Sequence, residues 1–236
     1  MWKIINLIQW VFIFLAIIFS GILAILALII SKNLSFWIAK NIWSRLLCAI
    51  VFSTVYLHNK QRISELDKPV IYCANHQSMY DIPAMFISMD KPIHFIAKKE
   101  LKKIPFIGWY VSSAGMIFID RSNTEKAMSS MQKAGELILS GRNVVTFPEG
   151  TRSKNGKLNL FKRGSFIIAK NSNITIVPVA IKGTLEVNPP SSFKLRSSKI
   201  NVNFGDPINP IDYPNYSAEQ LAQLTQESVA NLLAEI

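Results

Sequence analysis

The chain is predicted to fold as a single α/β domain with a mostly buried sheet flanked by helices, preceded by membrane-embedded N-terminal helices. Three observations carry this prediction. Residues 10–30 (WVFIFLAIIFSGILAILALII) hold no charged side chain. From about His58 onward, short apolar runs alternate with amphipathic stretches. A length of 236 residues suits one good-sized domain with an appendage, and is too short for two full domains. The expected division is 1–58 for the anchoring helices and 59–236 for the domain.

At about 1.5 Å per residue, a helix over 10–30 would span roughly 30 Å, the thickness of a bilayer's hydrocarbon core. A secretory signal is the competing reading, because Lys3 precedes the run. The run is roughly twice the length of a signal core, and no small-x-small cleavage site follows it. The next segment, Leu34 to Leu57, is apolar but carries Lys40, Asn41, Ser44 and Arg45. It reads as an amphipathic helix at the interface with its cations available to headgroups. Lys3 stands on one side of the apolar run and Lys32, Lys40 and Arg45 on the other, which places the C-terminal side in the cytoplasm. The protein is therefore expected at an inner or plasma membrane, its site facing the cytoplasm. Hydropathy leaves open a single span or a hairpin that dips in and returns.

Six runs then read as strands: Val70–Ala74, Ile93–Ala97, Met116–Ile119, Asn143–Phe147, Ile174–Ile181 and Ile200–Phe204. Ser122 with Glu125 forms a capping box, Met128, Met131, Ala134 and Ile138 form a stripe, and Gly141 closes the helix. A second capping box, Ser217 with Gln220, opens a C-terminal helix carrying Leu221, Leu224, Leu232 and Ile236. The Pro-rich stretches at 189–190 and 207–214 read as loops.

The formal charge of +11 and a pI near 9.7 call for an anionic partner or mark a solvated basic surface. No nucleic-acid motif is present, and an anionic membrane surface explains the charge more simply. Lys98, Lys99, Lys102 and Lys103 beside Ile104, Phe106, Ile107 and Trp109 form a basic and aromatic stretch suited to such a surface. A solvated lysine face is the alternative. Cys48 and Cys73 have no spacing pattern, so neither a disulfide framework nor a zinc site is expected.

The chemistry gathers where strands end. VIYCA runs into Asn75, His76, Gln77, Ser78, Met79, Tyr80 and Asp81, and Pro83 restricts where the next helix begins. On one straight helix, residues five apart would point about 140° away from each other. Across a loop-to-helix junction Asp81 can instead reach back to His76. Such a pair suits acyl transfer to an alcohol: the imidazole removes the hydroxyl proton while the carboxylate fixes its tautomer. The plainer alternative is that Asp81 only caps its helix. Two further apolar strands deliver Arg121 (GMIFIDR, 115–121) and Arg152 (FPEGTR, 147–152) to loops, and an arginine fork suits phosphate. Gly150 and Thr151 could offer N–H and hydroxyl groups to the same anion. Structural pairs Arg121–Asp120 and Arg152–Glu149 are the alternative. Cys73 as a nucleophile is a weaker option, since a strand side chain there would lie in the sheet's packing.

His-x-x-x-x-Asp (76–81), Gly-x-Ile-Phe-Ile-Asp-Arg (115–121), Phe-Pro-Glu-Gly-Thr-Arg (147–152) and Val-Pro-Val-Ala-Ile (177–181) occur in this order. Together they resemble the four blocks of the 1-acylglycerol-3-phosphate O-acyltransferase family of glycerolipid acyltransferases, over about residues 58 to 210. Phe161-Lys162-Arg163-Gly164 also looks familial. The resemblance implies a glycerolipid-acyltransferase-like mixed sheet. It makes His76 the general base and Asp81 its partner. Arg121, Glu149, Gly150 and Arg152 would bind the acceptor's glycerol phosphate, beside the Thr151 hydroxyl already noted, and Pro178 would shape the acyl side. The donor would be acyl-CoA or acyl-carrier protein, the acceptor a membrane lipid, with neither a metal nor a further cofactor. Another lysophospholipid or glycerol 3-phosphate as acceptor, and a catalytically idle lipid-binding protein, are the rival readings.

Overall fold

The computed structural model describes residues 2–119 and 124–236, and the backbone alone at 124–128 and 131. Its strands are β1 (Thr54–His58), β2 (Ile71–Ala74), β3 (Ile93–Lys98), β4 (Ile117–Ile119), β5 (Asn143–Thr146), β6 (Ile176–Lys182) and β7 (Lys199–Phe204). They form one sheet in the order β1-β7-β6-β2-β5-β3-β4. Every neighbouring pair is parallel except β6 with β7, so the sheet is mixed. The helices are α1 (Trp2–Ile30), α2 (Lys32–Ile38), α3 (Arg45–Ile50), α4 (Asp81–Ser88), α5 (Ile107–Ser113), α6 (Thr124–Leu139), α7 (Gly164–Asn171), α8 (Thr184–Val187) and α9 (Ala218–Ala234).

The central strands are buried on both faces, which is why they read as unbroken apolar runs. Val70, Tyr72 and Ala74 of the β2 segment join Val177, Val179 and Ile181 of β6 in one core with Ile13, Ala16, Phe36, Leu47, Met85 and Phe86. The alternate residues, Ile71, Cys73, Ile176 and Ala180, face a second core with Ala134 and Ile138 of α6, Phe166 of α7, and Leu221, Val229 and Leu232 of α9. Ser217 and Gln220 form the expected reciprocal cap on α9. Ser122, expected to cap α6, lies outside the described residues, as do the side chains of Met128 and Met131.

The amphipathic helix expected over Leu34–Leu57 stops short. A π-helical stretch, Ala39–Ser44, joins α2 to α3, and the chain then leaves the helix and becomes β1. Ser53 N–H bonds back to the Cys48 carbonyl at 2.9 Å, Phe52 takes a positive φ of 54°, and Thr54-Val55-Tyr56 prefers an extended backbone. Continuous apolarity concealed the change of period. The expected 58/59 division therefore falls at the end of a sheet strand, with β1 on its N-terminal side.

The N-terminal helices are also one layer of the domain. On α1 the buried positions Asn6, Gln9, Ile13, Ala16, Ser20, Ala24 and Ala27 recur along the whole helix. The other face shows Ile4, Leu7, Val11, Phe14, Leu15, Phe19 and Leu26 to the exterior. Small residues on the inner face bring α2 close, where Ser35 Oγ donates to the Ala24 carbonyl at 2.8 Å. At 29 residues α1 is long and apolar enough to cross a membrane.

Deleting residues 1–58 removes β1 and the buried Ile13, Phe36 and Leu47. The full chain should melt in a single cooperative transition by circular dichroism in detergent, and the truncated chain should lose it. A truncated chain melting as sharply as the full one would mean that these helices do not belong to the core.

Candidate active site

Asn75 follows β2 where β2 and β6 part. Its buried amide donates to the Ile181 carbonyl at 2.8 Å and accepts from Ile181 N–H at 2.7 Å, extending the sheet by a side chain. This ends the strand at a fixed place and sends His76 out beyond the C-terminal end of β2, in the middle of the sheet. The next residues curl around one carboxylate. Oδ2 of Asp81 accepts from His76 Nδ1 at 2.7 Å, Gln77 N–H at 2.7 Å and Ser78 N–H at 2.9 Å. Asp81 is the first residue of α4 and 0% exposed. Pro83 sits in the first turn, where a missing N–H costs nothing. The junction closes the five-residue gap that a straight helix would have opened.

An ionised carboxylate only accepts, so Nδ1 of His76 carries the proton and Nε2 is left as the basic nitrogen. The His76 side chain is 19% exposed, and its ring stacks on Phe147 at a centroid distance of 4.1 Å and 14° between planes. An orienting carboxylate and a flat aromatic wall leave the imidazole few ways to turn.

The third block clasps the same residue. After β5, Phe147-Pro148-Glu149-Gly150 makes a turn closed by Gly150 N–H to the Phe147 carbonyl at 3.0 Å. Glu149 Oε1 accepts from His76 N–H at 2.6 Å, and Ser153 N–H donates to the His76 carbonyl at 2.7 Å. Oε2 of Glu149 accepts from Asn159 N–H at 3.0 Å and from its Nδ2 at 2.6 Å. Burial pushes the Glu149 carboxyl above its ordinary value, and the His76 and Asn159 donors pull it partly back. With 2% exposure and both oxygens engaged, Glu149 fastens two loops together instead of facing a ligand as the sequence suggested. Its oxygens are also taken up by partners other than Arg152, against the structural-pair alternative.

Arg152 is partly exposed and Thr151 exposed, on the loop beside His76. Among the described residues no carboxylate makes an ion pair with Arg152. Gly150 has φ +73°, and a Cβ there would lie 3.0 Å from Lys162 Nζ, so this lysine runs directly past the turn. Arg121 lies outside the described residues. Pro178 pairs in register with Cys73 within the sheet, and its Cβ would sit 3.2 Å from a Cβ on Gly205. On β6 it shares a face with Ile176 and Ala180, toward α9, so it packs under the sheet away from the α1–α4 side. Cys73 is wholly buried, and burial pushes its thiol far up, which suits packing and not nucleophilic attack.

Sequence reasoning missed Asn75, Ser153, Asn159 and Thr184, all bonded to this site. Asn75 and Thr184 were marked only by adjacency, one directly before His76 and the other three residues beyond the fourth block. In the basic stretch, Lys102 covers the Phe118 ring at 4.5 Å, and Phe106 and Trp109 pack together at 5.0 Å with Trp109 exposed.

A histidine steered by a buried aspartate at the rim of a mixed α/β sheet marks the class of domain that can take a proton from a hydroxyl. Residues 54–182 match the family model described as Acyltransferase. A 1-acyl-sn-glycerol-3-phosphate acyltransferase of Chlamydomonas reinhardtii is 31% identical over 205 residues, 86% of this chain and 59% of that protein. One from Helicobacter pylori strain J99 is 35% identical over 159 residues, 65% of this chain and 67% of its own length. The crystal structure of the 1-acyl-sn-glycerophosphate (LPA) acyltransferase PlsC from Thermotoga maritima matches with a TM-score of 0.86 at 27% identity, covering 100% of this chain and 97% of that one. The chain spans 59%, 39% and 48% of the length of three curated relatives, from Chlamydomonas reinhardtii, Arabidopsis thaliana and Brassica napus. The chain belongs to the acyltransferase family.

Glu149→Gln supplies one acceptor oxygen where two are used, so a buried donor of His76 or Asn159 is orphaned. The expected cost is about 1–3 kcal/mol in denaturant unfolding, with turnover lowered because the His76 peptide is held on one side only. Unchanged stability and turnover together would remove the clasp from the account.

Proposed function

We propose that this protein transfers a fatty acyl group from a thioester donor to the sn-2 hydroxyl of 1-acyl-sn-glycerol 3-phosphate, giving phosphatidic acid. The observation that carries the reading is the 2.7 Å bond between His76 Nδ1 and the fully buried carboxylate of Asp81. Nε2 of His76 draws the proton as the hydroxyl oxygen attacks the thioester carbonyl carbon. Asp81 stabilises the imidazolium that forms, an arrangement worth roughly 10²–10⁴-fold in rate. The tetrahedral intermediate collapses with cleavage of the C–S bond, and the departing thiolate takes the proton from His76. No acyl-enzyme is required.

The acceptor's phosphate is assigned to Arg152, with Lys162 beside Gly150, and to Arg121 by the family resemblance. Gly150 and Thr151 lie on the same loop. The names of the relatives support this acceptor, because each of those proteins is a 1-acyl-sn-glycerol-3-phosphate acyltransferase. The donor is acyl-CoA or acyl-carrier protein. The exposed face of α1 enters the lipid while its inner face stays on the domain, so the helix embeds along its side. Lys32, Lys40 and Arg45, which follow it, favour a site on the cytoplasmic side.

The test crosses both donors with lysophosphatidic acid, glycerol 3-phosphate and lysophosphatidylcholine, using protein in lipid vesicles. Lysophosphatidic acid should be the best acceptor with at least one donor. His76→Ala should lose nearly all kcat with its fold intact, and Asp81→Asn should be severely slowed. Arg152→Lys should raise the acceptor KM more than the donor KM, because lysine keeps the charge without the fork. Near-normal turnover by His76→Ala would end the proposal.

A further inference from the structure

The Asp81 carboxylate has a second oxygen, and its partner comes from 103 residues further along the chain. Thr184 Oγ1 donates to Asp81 Oδ1 at 2.5 Å, and both residues are 0% exposed. From this geometry we infer that Thr184 is a positioning residue for the reaction, setting the rotation of the Asp81 carboxylate and through it the aim of His76. The inference rests on the reading of His76 as the general base.

The bonds divide unevenly between the two oxygens. Oδ2 takes His76, Gln77 and Ser78, all from its own loop. Among the described residues, the Thr184 hydroxyl is the donor to Oδ1. A carboxylate held at one oxygen can still turn about its Cβ–Cγ bond, and any turn carries Oδ2 out of line with Nδ1. A donor on the far oxygen removes that freedom. It also satisfies an acceptor that has no access to water.

The sequence around Thr184 builds this contact deliberately. Gly183 has φ +96°, and a Cβ there would fall 2.0 Å from the Lys199 carbonyl oxygen, so only glycine passes between β6 and β7 at this point. The chain therefore turns tightly off the end of β6 and presents Thr184 to the start of α4. The β-branched side chain has few rotamers to lose. Asn188 N–H bonds to the Thr184 carbonyl at 3.1 Å, and the Asn188 carbonyl accepts from Ser78 Oγ at 2.8 Å. Both ends of α8 are thus tied to the loop that carries His76 and Asp81.

The experiment compares Thr184→Val, Thr184→Ser and Thr184→Ala with the parent chain in vesicles, alongside His76→Ala. Valine keeps the shape and loses the hydroxyl, so kcat should fall roughly 10- to 100-fold, the scale of a hydrogen bond to a charged group. The acceptor and donor KM should stay within about 2-fold. Serine should restore kcat to within about 3-fold, because it keeps the donor. Alanine, which leaves room in the packing, should follow valine in kcat. A valine variant with parental kcat, or a serine variant as slow as valine, would overturn the inference, as would a loss confined to KM. Failure of the base reading looks different: there His76→Ala itself retains turnover.

Discussion

A carboxylate sealed from water must be surrounded by donors, and at Asp81 that requirement shapes everything nearby. Desolvating a charge costs several kcal/mol, so the loop before α4 folds inward to offer its own N–H groups. Oδ2 gathers the imidazole and two peptides, and Oδ1 takes a hydroxyl from a distant turn. The positive end of α4 adds a favourable field. Because the donors are backbone groups at fixed offsets, the spacing from His76 to Asp81 cannot lengthen or shorten without losing one of them. The motif is a ring of hydrogen bonds written along the sequence.

The peptide of His76 is as constrained as its ring. Glu149 and Ser153 hold its two polar ends, and Asn159 holds Glu149. The loop that carries Arg152 and the loop that carries His76 are therefore one unit, which fixes their separation. A third segment joins from the other side. Asn188 donates to the carbonyls of Ser192 and Lys194 and closes a loop whose tip, Phe193, is 83% exposed. Asn6 of α1 exchanges two bonds with Leu195, and Trp10 donates to the Phe193 carbonyl at 2.8 Å. The long apolar helix α1 is thereby linked, through side-chain amides, to the surroundings of His76 and Asp81.

The sequence made much of this legible. Six strands stood out within a residue or two because the interior of the sheet is apolar on both faces, and His76 with Asp81 stood out because Pro83 fixed where a helix could start. β1 was hidden, since its apolar residues continue the apolar run of the helices before it, and the break shows in the backbone angle of Phe52. The role of Glu149 was hidden for a different reason. A glutamate in a loop beside Arg152 reads as a substrate contact or as that arginine's ion-pair partner, and nothing local says that Asn159 and a peptide N–H will enclose it. Thr184 was invisible because its partner lies 103 residues away, and one-dimensional spacing carries no sign of such a meeting.

The pairing of β1 with β7 has a consequence for the order of events at the ribosome. Thr54 lies beside Lys199 and His58 beside Asn203, so the first strand to be made waits for the last one. By then α1 has long since emerged and is free to find a bilayer. The sheet's outer edge closes only after the chain has been made as far as Phe204, and non-local closure of this kind is slow. During that interval an unpaired strand stands open beside a greasy helix, a hazard for aggregation. Delivery to lipid ahead of closure shields the helix at the stage when the growing chain is least able to shield it.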